Sequence, residues 1–421
     1  MTNLTAQHQP KTTPFIVYYQ GFLAVAAILL FFTRLDIYLQ GYSIGIPLYW
    51  MIGFLLASLP LFISLLGKLN CLSIPVLAWS AAYIAISLIS ILIQPKIPDL
   101  QYLEDQYRTI IFFLMMLAIF AYHPLVSKWV KLTVLSVTLI NVCMFVYEFL
   151  NPLAFHLEQR APGRSSGFYD DSNTASIAII LGMIFTIDMF KPKYRIFYAL
   201  FIFLGTITTF SRGSILGWIV VVALLVVKKT IPRYQIPLLL LFFLMIISIL
   251  STQLGNLKYM ETADGTKLFH KDTLARVEFL IDPLGQQDSS KATRIYFIQE
   301  AWQKFARHPF IGNGLGAGKS SARISDADGA KRSHNTYLDI MVEFGFLGAL
   351  IFPSLLLASV WKARGQFKKQ AIAFVVFLLI QGFFSHTLLS EFCSLMAYVI
   401  MTNLAENSYF ESCNDYRYSV G

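Results

Sequence analysis

Long apolar runs alternate with short polar joints along almost the whole chain. They lie at about 14–33, 43–66, 71–93, 109–125, 132–150, 174–190, 195–210, 214–227, 235–251, 338–359, 371–387 and 388–404. A helix needs roughly 17–25 apolar residues to cross a bilayer. The pattern therefore predicts an all-α polytopic membrane protein of about twelve spans. The run at 214–227 is short, and the last two runs almost touch near His386. One polar stretch, 251–337, breaks the pattern. Within it Ile295, Ile298, Ala301, Trp302 and Phe305 recur at helical spacing, which predicts an amphipathic helix from Thr293 to Ala306. The helix stops at His308-Pro309, and a glycine-rich turn, Gly312 to Gly318, follows. The chain thus divides into spans one to nine over 1–250, a large loop over 251–337, spans ten to twelve over 338–404, and a tail over 405–421.

Composition agrees with this division. Hydrophobic residues make up 56% of the 421 and charged residues 14%, more apolar surface than a soluble core can bury. The formal charge of +9 would suggest nucleic acid in a soluble protein, but here the basic residues follow the loops. With the N-terminus inside, the inner side carries fourteen, counting Lys11, and the short outer loops six. Cytoplasmic loops carry such an excess, so both termini fall inside and the 251–337 loop outside, in the periplasm of a Gram-negative cell. Nucleic acid is not an expected partner. Cys71, Cys143, Cys393 and Cys413 form no CxxC, which leaves neither a disulfide framework nor a metal cage. The N-terminal run has no small-residue cleavage site and reads as a retained first helix.

The candidate chemistry lies on the outer side. Arg212 sits in Phe210-Ser211-Arg212-Gly213-Ser214, a tight turn between two spans, where the charge bias makes arginine scarce. Ionisable groups near the membrane interior usually have a partner or a task; the bland alternative is a side chain snorkelling to the headgroups. Gly312 to Gly318 could cradle a phosphate through its N–H groups. It follows no strand and lacks a Lys-Ser/Thr ending, so a chain-reversing turn is the simpler reading. Asp326-Ala327-Asp328 has the spacing of a carboxylate pair for a metal-bound nucleotide sugar. Nucleotide sugars are cytoplasmic, and Gly329 suits a turn. His334 opens a span beside Ser333 and Asn335, either of which can cap it; its imidazole is also a candidate general base. His386 in the next outer turn competes with it. Asp339 and Glu343 lie four residues apart on one helical face, with Glu343 deeper and pointing into the bundle.

The order of these pieces resembles the O-antigen ligase/polymerase superfamily of bacterial membrane glycosyltransferases. The matching elements are Ser211-Arg212-Gly213-Ser214, Arg294 with Trp302 following, Pro309 to Gly314, and His334-Asn335-Thr336-Tyr337-Leu338 running on through Glu343 to Gly348. The upstream loop Gly167 to Asn173 is also similar, so the resemblance covers roughly Gly167 to Gly348. It implies a GT-C-like helical fold with its site at the periplasmic face of the inner membrane. It implies an undecaprenyl pyrophosphate-linked glycan donor, no cofactor and no metal. The family's two essential arginines and one histidine fall on Arg212, Arg294 and His334. Arg160, Arg164, Trp302, Asn335 and Glu343 are the expected substrate contacts. Guanidinium groups bind phosphate oxygens bidentately and keep their charge, so they can stabilise a departing pyrophosphate.

The acceptor separates the members. A ligase uses lipid A-core, a polymerase a second lipid-linked repeat unit, and a protein O-oligosaccharyltransferase a serine or threonine. The single dominant outer loop ending in His334-Asn335 favours the ligase. Arg160 and Arg164 in the 151–173 loop favour the polymerase, with a chain-length regulator as a further partner. A transporter is the reading from another class. Carriers built from two halves place their long loop between spans six and seven, whereas here it follows span nine.

Overall fold

A computed structural model describes residues 14–65, 73–93, 100–151, 154–155, 164–242, 244–245, 248, 289–318 and 333–420. Among the described residues the regular structure is helical throughout, with no strand. In chain order the helices are α1 (Pro14–Ala27, continued by a π turn to Phe32), α2 (Leu35–Gly41), α3 (Pro47–Leu65), α4 (Ile74–Ile93), α5 (Leu100–Ile119), α6 (Pro124–Leu150), α7 (Ser172–Thr186), α8 (Arg195–Thr208) and α9 (Arg212–Val227). Residues 236–242 are also helical. After the large loop begins come α10 (Ser289–Arg307), α11 (Thr336–Phe344), α12 (Ile351–Val360), α13 (Phe367–Gln381) and α14 (Phe392–Val420).

Local chemistry starts these helices where they start. His123 caps α6, its Nδ1 accepting from Leu125 N–H at 3.2 Å, with Pro124 at the first helical position. Asp171 caps α7 through Thr174 N–H at 3.1 Å. Asn335 caps α11 through Leu338 N–H at 3.1 Å. Helix α7 is the centre of the molecule, buried along its whole length and packed on α6, α8, α9, α13 and α14. Small residues permit that close packing, as between membrane helices generally. A Cβ on Gly182 of α7 would fall 1.9 Å from Thr138 Oγ1 on α6.

Among the described residues five helical stretches are long and apolar enough to cross a membrane: Pro14–Phe32, Pro47–Leu65, Ile74–Leu92, Pro124–Leu150 and Ser172–Met189. The chain is a membrane protein by these stretches, and several predicted spans are shorter helices. Arg212–Val227 and Phe346–Val360 are apolar but short. The predicted span at 338–359 is broken at Gly345 (φ +74) into α11, a 3-10 turn over Phe346–Leu350, and α12. The apolar run at 109–125 takes in the second half of α5 and the turn into α6, and the first turns of α5 carry Glu104, Asp105 and Arg108. The last two runs are separated by an irregular turn over 382–391.

Candidate functional site

The loop before α7 is fastened to the end of α6. Glu148, buried near the end of α6, accepts from Ser166 N–H at 2.7 Å and from Gly167 N–H at 2.6 Å. Asn141 Nδ2 donates to Tyr169 Oη at 3.0 Å. Gly167 (φ +59) lies against Phe145, whose ring a Cβ would meet at 2.8 Å. The same loop also grips the turn between α8 and α9. Ser165 N–H donates to Thr208 O at 3.1 Å, and Arg164 Nε to Thr209 O at 2.8 Å. Arg164 Nη2 reaches Asn173 Oδ1 at 3.0 Å. Arg164 therefore lies beside the Arg212 turn, while Arg160 is outside the described residues.

Arg212, half-buried, is the first residue of α9, after a turn in which Phe210 has φ +49. Hydroxyl groups tie this end of α9 to α7: Ser176 Oγ donates to Ser214 Oγ at 2.5 Å, and Ser211 Oγ to the same atom at 3.0 Å. On the other side it meets the 382–391 turn. Gln381 Nε2 donates to Gly213 O at 3.0 Å, and a Cβ on Gly213 would meet Phe384 Cγ at 2.8 Å.

That turn also holds His334. Thr336 N–H donates to Gly382 O at 2.8 Å, and Thr336 Oγ1 to Ser385 O at 2.6 Å. His334 itself has φ +54, a conformation unusual for a side chain of this size. Its ring stands edge-on to His386, with centroids 4.8 Å apart and planes at 81°. The segment 382–387 thus links the Arg212 end of α9 with both histidines. The two histidines weighed against each other in the sequence prove to be neighbours. Asn335 is committed to capping α11. Asp339 accepts from Ser333 Oγ at 2.5 Å, which closes the same corner. The N-termini of α7, α9 and α11 all belong to this cluster. Their dipoles favour an anion nearby.

The amphipathic helix begins earlier than its periodicity suggests, at Ser289, so Arg294 sits in its second turn and not its first. Ala301 and Phe305 of α10 pack on Leu338 and Val342 of α11. The glycine-rich turn has a structural explanation. Gly312 (φ +76) and Gly345 (φ +74) let two backbones touch: a Cβ on Gly312 would fall 2.2 Å from Glu343 O, and one on Gly345 2.3 Å from Phe310 O. The N–H groups of Gly312, Asn313 and Gly314 are taken by His308 O, Val342 O and Glu343 O at 2.8–3.1 Å. They are not left for a phosphate. Glu343 Oε1 accepts from Tyr102 Oη at 2.7 Å and from Gly316 N–H at 3.2 Å, so the carboxylate holds this turn to α5. Trp302 is exposed. Asp326 and Asp328 lie outside the described residues.

Sequence reasoning passed over one buried cluster on the same side. Arg34, in the turn after the first span, has φ +59. It reaches Glu391 Oε1 through Nη1 at 3.0 Å and lies 3.8 Å from Asp36 Oδ1. Its guanidinium stands 5.5 Å over the Phe392 ring. Burial pushes the Asp36 carboxyl up to about 6, against the pull of Arg34. Burial likewise pushes Glu391 up to about 7, with Arg34 opposing and Asp170 adding to the rise. Burial works against the Arg34 charge, but Glu391 and Asp36 more than offset it. An arginine two residues before an aspartate at the end of an apolar run was the available signal. Glu391, from the far end of the chain, gave none.

No curated protein matches this chain. Residues 197–352 match the family model described as O-Antigen ligase, a stretch running from α8 to the first turn of α12 and taking in Arg212, Arg294, His334 and Glu343. Over that stretch the chain is similar to the O-antigen ligase family.

Proposed function

We propose that this protein transfers a glycan en bloc from undecaprenyl pyrophosphate to an acceptor hydroxyl, that of lipid A-core, at the periplasmic face of the inner membrane. The observation that carries this reading is the 381–387 segment, which touches both the Arg212 end of α9 and His334. In this reading the guanidinium groups of Arg212 and Arg294 hold the pyrophosphate. Charge grows on it as the glycosidic C1–O bond breaks, and fixed cations and helix N-termini there favour the transition state over the ground state. His334 takes the proton of the acceptor hydroxyl. The freed oxygen attacks C1 from the opposite face, the anomeric configuration inverts, and undecaprenyl pyrophosphate leaves. No metal is needed, and the 251–337 loop faces the periplasm, as the excess of inner basic residues supports.

A second reading, polymerisation, draws on Arg164. The loop that carries it is bonded to Thr208 and Thr209 beside Arg212, so an acceptor lipid pyrophosphate has a cation at hand. Reconstituted protein supplied with lipid-linked glycan, with and without lipid A-core, separates the two. Glycan on lipid A-core supports the ligase. Longer lipid-linked glycan without lipid A-core supports the polymerase. No glycosidic product under either condition, from protein that binds the donor, defeats both. Product that forms only with a divalent ion, and is lost in excess EDTA, defeats the metal-free mechanism.

A further inference from the structure

Helix α10 has two apolar stripes where one would suffice to dock it. Phe297, Ala301 and Phe305 are buried, and the last two meet α11. Ile295, Ile298 and Trp302 form an adjoining stripe that is exposed, Trp302 at 56%. Trp302 joins the stripes, its ring 5.4 Å from that of Phe305. At 100° per residue these six residues span nearly half the helix circumference. Gln299, Glu300, Gln303, Lys304 and Arg307 occupy the other side. The open stripe runs on into the turn, where Phe310 is 82% and Ile311 62% exposed.

The surroundings say what covers this surface. Leu315 of the same turn lines a small gap together with Ile84, Leu88 and Ile91 in the C-terminal half of α4, one of the membrane-length helices. Phe346 N–H donates to Pro309 O at 2.7 Å, which sets Phe310 and Ile311 beside the exposed Phe346, Leu347 and Leu350. Trp79 of α4 donates to Ile351 O at 2.9 Å, so this apolar stretch lies at membrane depth. Water at that depth would meet a continuous apolar surface of the kind that marks a membrane or partner contact.

We propose that the C-terminal half of α10 and the turn over 308–311 are inserted in the outer leaflet, with Ile298, Trp302, Phe310 and Ile311 against lipid. The polar side of α10 then faces the periplasm, as in an interfacial amphipathic helix. Tryptophan suits the headgroup boundary, with Phe310 and Ile311 deeper. One consequence rests on the proposed function: the helix that carries Arg294 is held at the level where a lipid-linked pyrophosphate lies.

Spin labels at Ile298→Cys, Trp302→Cys, Phe310→Cys and Gln303→Cys test this in the full chain, its native cysteines replaced, in phospholipid nanodiscs. At the first three sites, collisions with oxygen should exceed those with a water-soluble nickel chelate; Gln303 should show the reverse. A nickel-accessible label at 302 and 310 overturns the proposal. So does a label shielded from both reagents, since protein then covers the stripe. Hydroxyl-radical footprinting of the unaltered protein in nanodiscs gives a reading independent of any variant. Trp302 and Phe310 should oxidise several-fold less than Tyr296 on the polar side, and equal oxidation sinks the idea. Neither readout needs catalysis, so an inactive protein leaves this inference standing.

Discussion

At the scale of single residues, the proposed roles of Arg212 and His334 separate by what each variant should lose. Arg212 opens α9 with its side chain half-buried, and a cation there should act on the donor. Arg212→Ala is expected to weaken binding of the lipid-linked donor. His334→Ala should leave donor binding intact and cut single-turnover rate by on the order of 10²–10⁴, the usual contribution of a general base. Donor affinity beside single-turnover rate checks both; a His334→Ala protein that no longer binds donor reverses the assignment. Glu343 makes a contrast with them. Its carboxylate is bonded to Tyr102 and Gly316. Glu343→Gln keeps its size and an acceptor oxygen, so it should lower thermal stability slightly while donor affinity stays unchanged. A loss of donor affinity without loss of stability would restore Glu343 to the substrate.

At the scale of elements, the broken span around Gly345 is the most exacting piece of packing. A methyl group at Gly345 would strain a backbone at φ +74 and strike Phe310 O. Strain of that kind costs about 1–3 kcal/mol, and overpacking typically adds about 1–3 more. Gly365 has φ +55 with nothing within 4 Å of its would-be Cβ. Gly365→Ala should therefore cost only the backbone part. Melting temperatures of the two variants in detergent measure the difference, and equal losses would mean that the close contact is not rigid. The amphipathic helix, the span boundary at His334 and the turn at Arg212 were legible because each rests on local signals: periodicity, a cap, a tight polar break. The break at Gly345 was not. Phe344-Gly345-Phe346 sits inside an unbroken apolar run, and only contact with Phe310, more than thirty residues earlier, requires the glycine. Spans shorter than the bilayer were also hidden, since hydropathy counts residues and not helical turns.

At the scale of the whole molecule, Arg34 and Glu391 fasten the first helix to the last. Helix α14 packs on the π turn that ends the first span. Near its middle Glu406 Oε1 meets Lys362 Nζ at 3.1 Å. The Arg34 cluster holds one guanidinium against two buried carboxyls, so it cannot be neutral with both ionised. Asp36 and Glu391 have folded values of about 6 and about 7, above roughly 4 for the unfolded chain. Between those limits the folded state binds protons that the unfolded state does not. Stability from this cluster is therefore present at low pH and falls as pH rises from about 4 to 7. Asp36→Asn should flatten that slope, with the gain over the unaltered protein largest above pH 7. Arg34→Met should do the opposite, leaving two buried carboxyls unpaired at a cost of about 3–5 kcal/mol near neutrality. The cost should shrink toward pH 5 as both carboxyls take up protons. Thermal unfolding of the three proteins across pH 5–8 checks this. If Arg34→Met is as destabilised at pH 5 as at pH 8, the arginine acts through its packing on Phe392 and not through charge.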